Sequence, residues 1–140
     1  MNDEYFMNIA IEQAKKSRDS DGYHVGAVIV KDGRIISVAY SDETKDRGHA
    51  EELAIKIALK SVSGATIYST MEPCSLRPSR RLSCSELIIR SGIARVVYGT
   101  LDPEPQVPCD GVERLIGAGI KVIHLGALEK ICKEITPSLF

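Results

Sequence analysis

Gly26-Ala27-Val28-Ile29-Val30-Lys31-Asp32-Gly33-Arg34-Ile35-Ile36-Ser37-Val38-Ala39-Tyr40 is the stretch on which the reading of the fold turns. Two runs rich in β-branched residues flank an Asp-Gly pair. Such residues favour a pleated strand, and Asp-Gly supplies the positive φ angles of a two-residue turn. The stretch therefore predicts a hairpin with strands over 26–30 and 35–40. Upstream, residues 4–17 read as a helix, with Phe6, Ile9, Ala10 and Ala14 at helical spacing. Downstream, a second helix starts near His49, and its expected inner face is Ala50, Leu53, Ala54, Ile57 and Ala58. The pattern then alternates: strand over Ala65–Tyr68, helix over Cys84–Ser91, strand over Arg95–Tyr98, helix over Gly111–Ala118, strand over Lys121–Leu125. Strands joined through helices run parallel, with right-handed crossovers. The expected fold is thus α/β, a three-layer α/β/α sandwich around a five-stranded mixed sheet with an N-terminal hairpin. Ligands of such sheets bind beyond the strand C-termini. His49 follows the second strand, Cys74 the third and Asp102 the fourth.

Bulk properties narrow the function. A chain of 140 residues suits one compact domain over 1–140. Apolar content of 44% and charged content of 26% are ordinary for a globular protein in water. A formal net charge of −1 gives no basic footprint, which argues against nucleic acid as the partner. The start, Met1-Asn2-Asp3-Glu4-Tyr5, lacks the basic residues and apolar run of a signal peptide. No stretch approaches the roughly 18 apolar residues of a membrane span. The expectation is a cytoplasmic protein with no membrane partner. In a reducing compartment the four cysteines, Cys74, Cys84, Cys109 and Cys132, are metal ligands, catalytic groups or small core residues before they are disulfides.

The segments that carry chemistry are Gly48-His49-Ala50-Glu51 and Glu72-Pro73-Cys74, with Cys84 ten residues further on. One imidazole (His49) and two thiolates (Cys74, Cys84) suit a tetrahedral zinc ion, Zn2+. Three protein ligands leave the fourth position open to water, whose pKa zinc lowers to roughly 7. Glu51 follows His49 by two residues. Such neighbours diverge within a helix, so the pair can converge only where His49 stands at the helix start. Cys84 also begins a helix, and the positive end of the helix dipole favours a thiolate. A carboxylate beside the metal can take a proton from water and pass protons to a ring nitrogen and to leaving ammonia. Glu51 is the candidate catalytic residue. The plainer reading makes His49 a helix cap and the cysteines small buried residues, but chance does not readily supply the conjunction of all four at these places.

His-Ala-Glu together with Thr70-Met71-Glu72-Pro73-Cys74-Ser75 resembles the cytidine deaminase superfamily, and within it the riboflavin-biosynthesis pyrimidine deaminases. The resemblance runs from Asp3-Glu4-Tyr5 to His124. It includes Val25–Gly33, Ile93–Tyr98 and Asp102-Pro103-Glu104-Pro105-Gln106-Val107. Nine residues separate Cys74 from Cys84, where nucleoside, deoxycytidylate and tRNA-adenosine deaminases show Pro-Cys-x-x-Cys. A long insert is the mark of the riboflavin-type branch, and Ser75–Ser83 is similar to its fungal form. The resemblance implies a cytidine deaminase-like fold, a zinc cofactor and hydrolytic deamination of a diamino-hydroxy-pyrimidine bearing a phosphoribosylamino group. It also implies a small-molecule substrate and admits a homo-oligomer. The chain departs from the family at Gly22-Tyr23-His24, where bacterial members place Asn-Pro-x. It departs again at Glu104 and Ser83, which stand for Asn and Pro.

The substrate contacts stay open between two readings each. Arg77, Arg80 and Arg81 could hold a phosphate bidentately, or form a solvated loop. Asp102 could bind a ribose or ribityl hydroxyl, or serve as a turn residue before Pro103. His24 could line the pocket in place of the missing Asn, or lie at the surface. Glu104, which stands for the family's Asn, is a further candidate substrate contact by the resemblance. Two other classes compete with an enzyme. A structural-zinc module would need a fourth ligand such as Cys109 and would leave Glu51 without a task. A thiol redox protein would need the Cys-x-x-Cys spacing that Cys74 and Cys84 lack.

Overall fold

A computed structural model of the chain describes residues 2–20, 22–42, 44, 48–73, 83–103 and 110–140. Helix α1 (Asp3–Ala14) opens on Asn2, whose side chain accepts the Tyr5 N–H at 3.0 Å. This cap, with Asp3 and Glu4 in the first turn, satisfies the exposed helix donors and complements the dipole. The helix stops short of residue 17, because Ser17 turns inward to pair with the Ser41 hydroxyl at 2.9 Å. Strands β1 (Gly26–Lys31) and β2 (Arg34–Tyr40) form the expected hairpin. Asp32 and Gly33 take φ of 52° and 77°, the type I′ geometry that matches strand twist. Val30 pairs with Ile35 but Ile29 with Ser37, so Ile36 is the extra residue of a bulge.

The chain continues through α2 (Ala50–Ala58), β3 (Thr66–Met71), α3 (Cys84–Ser91), β4 (Arg95–Thr100), α4 (Gly111–Gly117), β5 (Lys121–His124) and α5 (Glu129–Glu134). The sheet order is β2-β1-β3-β4-β5. β1 is antiparallel to both neighbours, while β3, β4 and β5 are parallel. The C-terminal ends of β2, β3, β4 and β5 therefore share one edge.

Strand alternation sorts the core into two layers. Ala27, Ile29, Ile67, Met71 and Val96 face one side with Ala54 of α2, Ile88 of α3 and Leu115 of α4. Val28, Val30, Tyr68 and Val97 face the other with Phe6, Met7 and Ile11 of α1 and Cys132 of α5. This is the three-layer α/β/α sandwich, and α5 completes its second face. Helix α5 was not expected from the sequence, since six residues hold too little periodicity to read.

Two local expectations need correction. Ile57 is 60% exposed rather than part of the α2 inner face. The helix is rolled so that Glu51 joins Ala50, Ala54 and Ala58 in the buried stripe, which carries Ile57 outward. Strand β3 runs on to Met71 instead of ending at Tyr68. Ser69 pairs with Ala27 on one side and Tyr98 on the other, which draws it into the sheet.

At the opposite edge, Arg95 ties α1 to β4. Its guanidinium donates to both carboxylate oxygens of Asp3, at 2.9 and 2.5 Å, and the Tyr68 hydroxyl donates to Asp3 Oδ1 at 2.7 Å. Those bonds, Arg95 first, hold the Asp3 carboxyl below its ordinary pKa. Burial, with Asp3 beside it, pushes Tyr68 up to about 12. Among the described residues, no helix is long and apolar enough to cross a membrane.

Candidate active site

His49 is the N-cap of α2, with extended backbone at φ −79° and ψ 139°. Its carbonyl accepts the first helical bond, from Leu53 N–H at 3.0 Å, while its imidazole does not cap the helix. The side chain is thus directed by non-helical geometry, as convergence with Glu51 requires. Cys84 is the first residue of α3 and fully buried. Ser83 caps that helix, accepting the Glu86 N–H at 3.1 Å, and so sets the axis from which Cys84 projects.

These two helix starts, 35 residues apart, bring His49 Nδ1 to 3.3 Å from Cys84 Sγ. Ligands held tetrahedrally at zinc–sulfur and zinc–nitrogen distances of about 2.3 and 2.0–2.1 Å lie roughly 3.5 Å from each other. The observed approach fits a shared zinc, with Nδ1 as the donor nitrogen. Cys74 lies outside the described residues, as do Arg77, Arg80, Arg81, Glu104 and Cys109. Among the described residues no cluster of three metal-ligating side chains occurs.

The chain leading into Cys74 is nevertheless well held. Pro73 is fully buried, and its carbonyl accepts from Ser85 Oγ at 3.0 Å. A Cβ on Gly111, the first residue of α4, would fall 2.0 Å from that carbonyl oxygen. Pro73 is therefore pinned between the second residue of α3 and the first of α4.

Glu51 is the second residue of α2 and is buried. Its Oε2 lies 3.3 Å from the Ser69 hydroxyl, which also donates to the Met71 carbonyl at 2.6 Å. Glu51 lies in the first turn of α2 and Cys84 in that of α3, where the helix dipoles favour a carboxylate and a thiolate. The structure thus brings His49 to Cys84, and Glu51 to Ser69 near the C-terminal end of β3.

The remaining described candidates occupy a second set of contacts. Asp102 Oδ1 accepts from the Tyr23 hydroxyl at 3.1 Å, and its backbone N–H donates to Glu72 Oε1 at 3.1 Å. His24 turns Nδ1 to the Ile135 carbonyl and Nε2 to the Asp19 carbonyl, both at 3.2 Å. The ring therefore joins the segment before β1 to the end of α5. Ser41 steadies the same segment, donating to the Tyr23 carbonyl at 2.7 Å and accepting the Val25 N–H at 3.0 Å. Its one hydrogen is thereby used, so Ser17 must be the donor in the Ser17–Ser41 pair.

Sequence reasoning missed Ser69, Tyr23 and Glu72. Ser69 carried a signal, because a polar residue stands between Ile67 and Met71 on an otherwise apolar strand face. Tyr23 and Glu72 act through partners 79 and 30 residues away, for which no local pattern exists.

Residues 1–100 match the family model described as the cytidine and deoxycytidylate deaminase zinc-binding region. The chain is 45% identical over 137 residues to the diaminohydroxyphosphoribosylamino-pyrimidine deaminase of Schizosaccharomyces pombe, spanning 94% of this chain and 34% of that protein. It is 41% identical over 143 residues to the riboflavin biosynthesis protein RibD of Aquifex aeolicus, spanning 99% and 38%. The solved structure of Acinetobacter baumannii RibD, form 2, superposes with a TM-score of 0.87 at 34% identity, covering 98% of this chain and 38% of that one. The chain thus spans between a third and two fifths of the length of these curated relatives.

Proposed function

The chain belongs to the cytidine and deoxycytidylate deaminase family, and from that premise we propose that it is a zinc-dependent hydrolytic deaminase. Its substrate in this reading is the diamino-hydroxy-phosphoribosylaminopyrimidine of riboflavin biosynthesis. The observation that carries the proposal is the approach of His49 Nδ1 to Cys84 Sγ at 3.3 Å, with the buried Glu51 carboxyl on the same helix start as His49. His49, Cys84 and Cys74 would hold the metal. Zinc, when bound there, supplies the Lewis acidity that makes water a competent nucleophile at neutral pH.

The other steps fall to the chain's own side chains. The Glu51 carboxylate takes a proton from the attacking water and delivers protons to the ring nitrogen and to the departing amino group. Water and the amine thus become a ring carbonyl and ammonia. The two helix N-termini offset the cost of burying the anionic groups. Asp102, positioned by Tyr23 and Glu72, would receive a sugar hydroxyl, and Arg77, Arg80 and Arg81 would receive the phosphate. The reading treats residues 1–140 as one deaminase domain of a cytoplasmic enzyme that acts on a small molecule and admits self-association. The likeness to the fission-yeast diaminohydroxyphosphoribosylamino-pyrimidine deaminase supports the substrate class.

The test is ammonia release from the phosphorylated pyrimidine beside cytosine, cytidine and guanine, with zinc content measured on the same sample. Turnover of the phosphorylated pyrimidine alone supports the full reading. Turnover of an uncharged base or nucleoside keeps the chemistry and overturns the substrate. No ammonia from any substrate by zinc-loaded protein overturns the enzyme.

A further inference from the structure

Strand β3 presents Ile67, Ser69 and Met71 to the layer of α2, α3 and α4. Ile67 and Met71 belong to the apolar cluster there, and Ser69 between them is completely buried. A hydroxyl in that place is unfavourable unless hydrogen-bonded, and a valine would fill it with better strand propensity. The hydroxyl reaches two oxygens, the Met71 carbonyl at 2.6 Å and Glu51 Oε2 at 3.3 Å. It owns one hydrogen and has lone pairs to accept another. Both acceptors lie within reach of that hydrogen, and the hydroxyl stands against Oε2 as a donor. Oε2 is thereby held from beneath by the sheet, while the start of α2 holds the carbons of Glu51 from the side.

We propose that Ser69 is a positioning residue for Glu51, anchoring one carboxyl oxygen so that the other stays aimed at the reacting atoms. This inference rests on the reading of Glu51 as the proton carrier. A carboxyl on three rotatable bonds is a poor proton carrier unless its orientation is set before the reaction, because proton transfer needs hydrogen-bond geometry at the moment it occurs. The anchor acts on the chemical step and not on substrate affinity.

Ser69→Thr and Ser69→Val have the same shape and differ in the hydroxyl, so their comparison isolates the anchor. Both are measured in the zinc-loaded protein beside Glu51→Gln, with zinc content, thermal midpoint, kcat and KM recorded for each. The expected result is one zinc per chain throughout, kcat of Ser69→Thr near that of the parent, and kcat of Ser69→Val lower by about tenfold at unchanged KM, as for the loss of one hydrogen bond. A crystal structure of Ser69→Val should show the Glu51 carboxyl turned from its parent orientation. Equal kcat for the two variants at the parent thermal midpoint, whether both high or both low, overturns the proposal, as does loss of zinc from Ser69→Val. If the branched side chains do not fit, Ser69→Ala decides: a lower kcat at parent KM supports the anchor, and an unchanged kcat refutes it. Glu51→Gln separates the two levels. Parent activity in that variant refutes the proton-carrier reading and the anchor with it. An inactive Glu51→Gln beside a fully active Ser69→Val refutes the anchor alone.

Discussion

Gly111→Ala tests whether the start of α4 holds in place the strand end that leads into the proposed metal site. The added Cβ would lie 2.0 Å from the Pro73 carbonyl oxygen and 2.9 Å from Ser85 Oγ, whereas real Cβ contacts essentially never fall under 3.0 Å. The difference, 3.0 − 2.0 Å, means that backbone must move by at least 1.0 Å. The yielding atom belongs to a fully buried proline whose carbonyl is already bonded to Ser85, so no side-chain rotation relieves the clash. Overpacking of this kind costs about 1–3 kcal/mol. For a domain of this size that is a fall of roughly 3–10 °C in the thermal midpoint. Pro73 directly precedes Cys74, and metal–ligand distances tolerate only about 0.2 Å. Zinc affinity should therefore fall about 10- to 100-fold, the scale of disturbances to ligand-orienting groups. Gly117→Ala, at the other end of the same helix with nothing within 4 Å of the added Cβ, is the control. It should be neutral or stabilise by up to about 1 kcal/mol. Thermal unfolding of the metal-free proteins and competition against a chromophoric chelator measure both effects. If Gly111→Ala keeps parent stability and parent zinc affinity, the clamp on Pro73 does not orient the metal site.

Glu51→Ala should retain zinc and lower turnover by roughly 10²–10⁴-fold, the range for a positioned acid–base group; metal analysis and steady-state kinetics on one preparation check it. Asp3→Asn should flatten the acid limb of stability. The Arg95 bonds lower the folded-state pKa of Asp3, so their contribution is present above its ordinary value near pH 4 and is lost as pH falls through the folded value. Urea titrations between pH 2 and 7 read this, and parallel pH profiles for the two proteins would contradict it. At least one of Arg77→Ala, Arg80→Ala and Arg81→Ala should raise KM for the phosphorylated pyrimidine about ten- to a hundredfold, as for a lost charge-assisted bond, and leave a dephosphorylated analogue unaffected. Equal kinetics of all three with the parent on both substrates would make the arginines a solvated loop.

Local chemistry carries much of this molecule. The Asp32-Gly33 turn, the Cys84–Ser91 helix and the alternation that makes β3, β4 and β5 parallel are each decided within a few residues, by backbone preference and by the periods of strand and helix. So is the requirement that His49 stand outside helical geometry if Glu51 is to share its site. Other features depended on groups meeting across the fold. The roll of α2 that buries Glu51 and exposes Ile57 is set by the sheet beneath it, and no period within Ala50–Ala58 distinguishes that roll from its neighbours. His24 offered the sequence a pocket residue or a surface one; tertiary packing turned its ring nitrogens to carbonyls of Asp19 and Ile135, partners no local pattern announces. Asp102 found Tyr23, and Glu51 found Ser69, because strand order brings together elements that the chain keeps apart. A hydrogen bond is short-ranged and directional, so its partner is chosen only once the layers have closed, whereas a turn or a helix start chooses its residues as the chain is written.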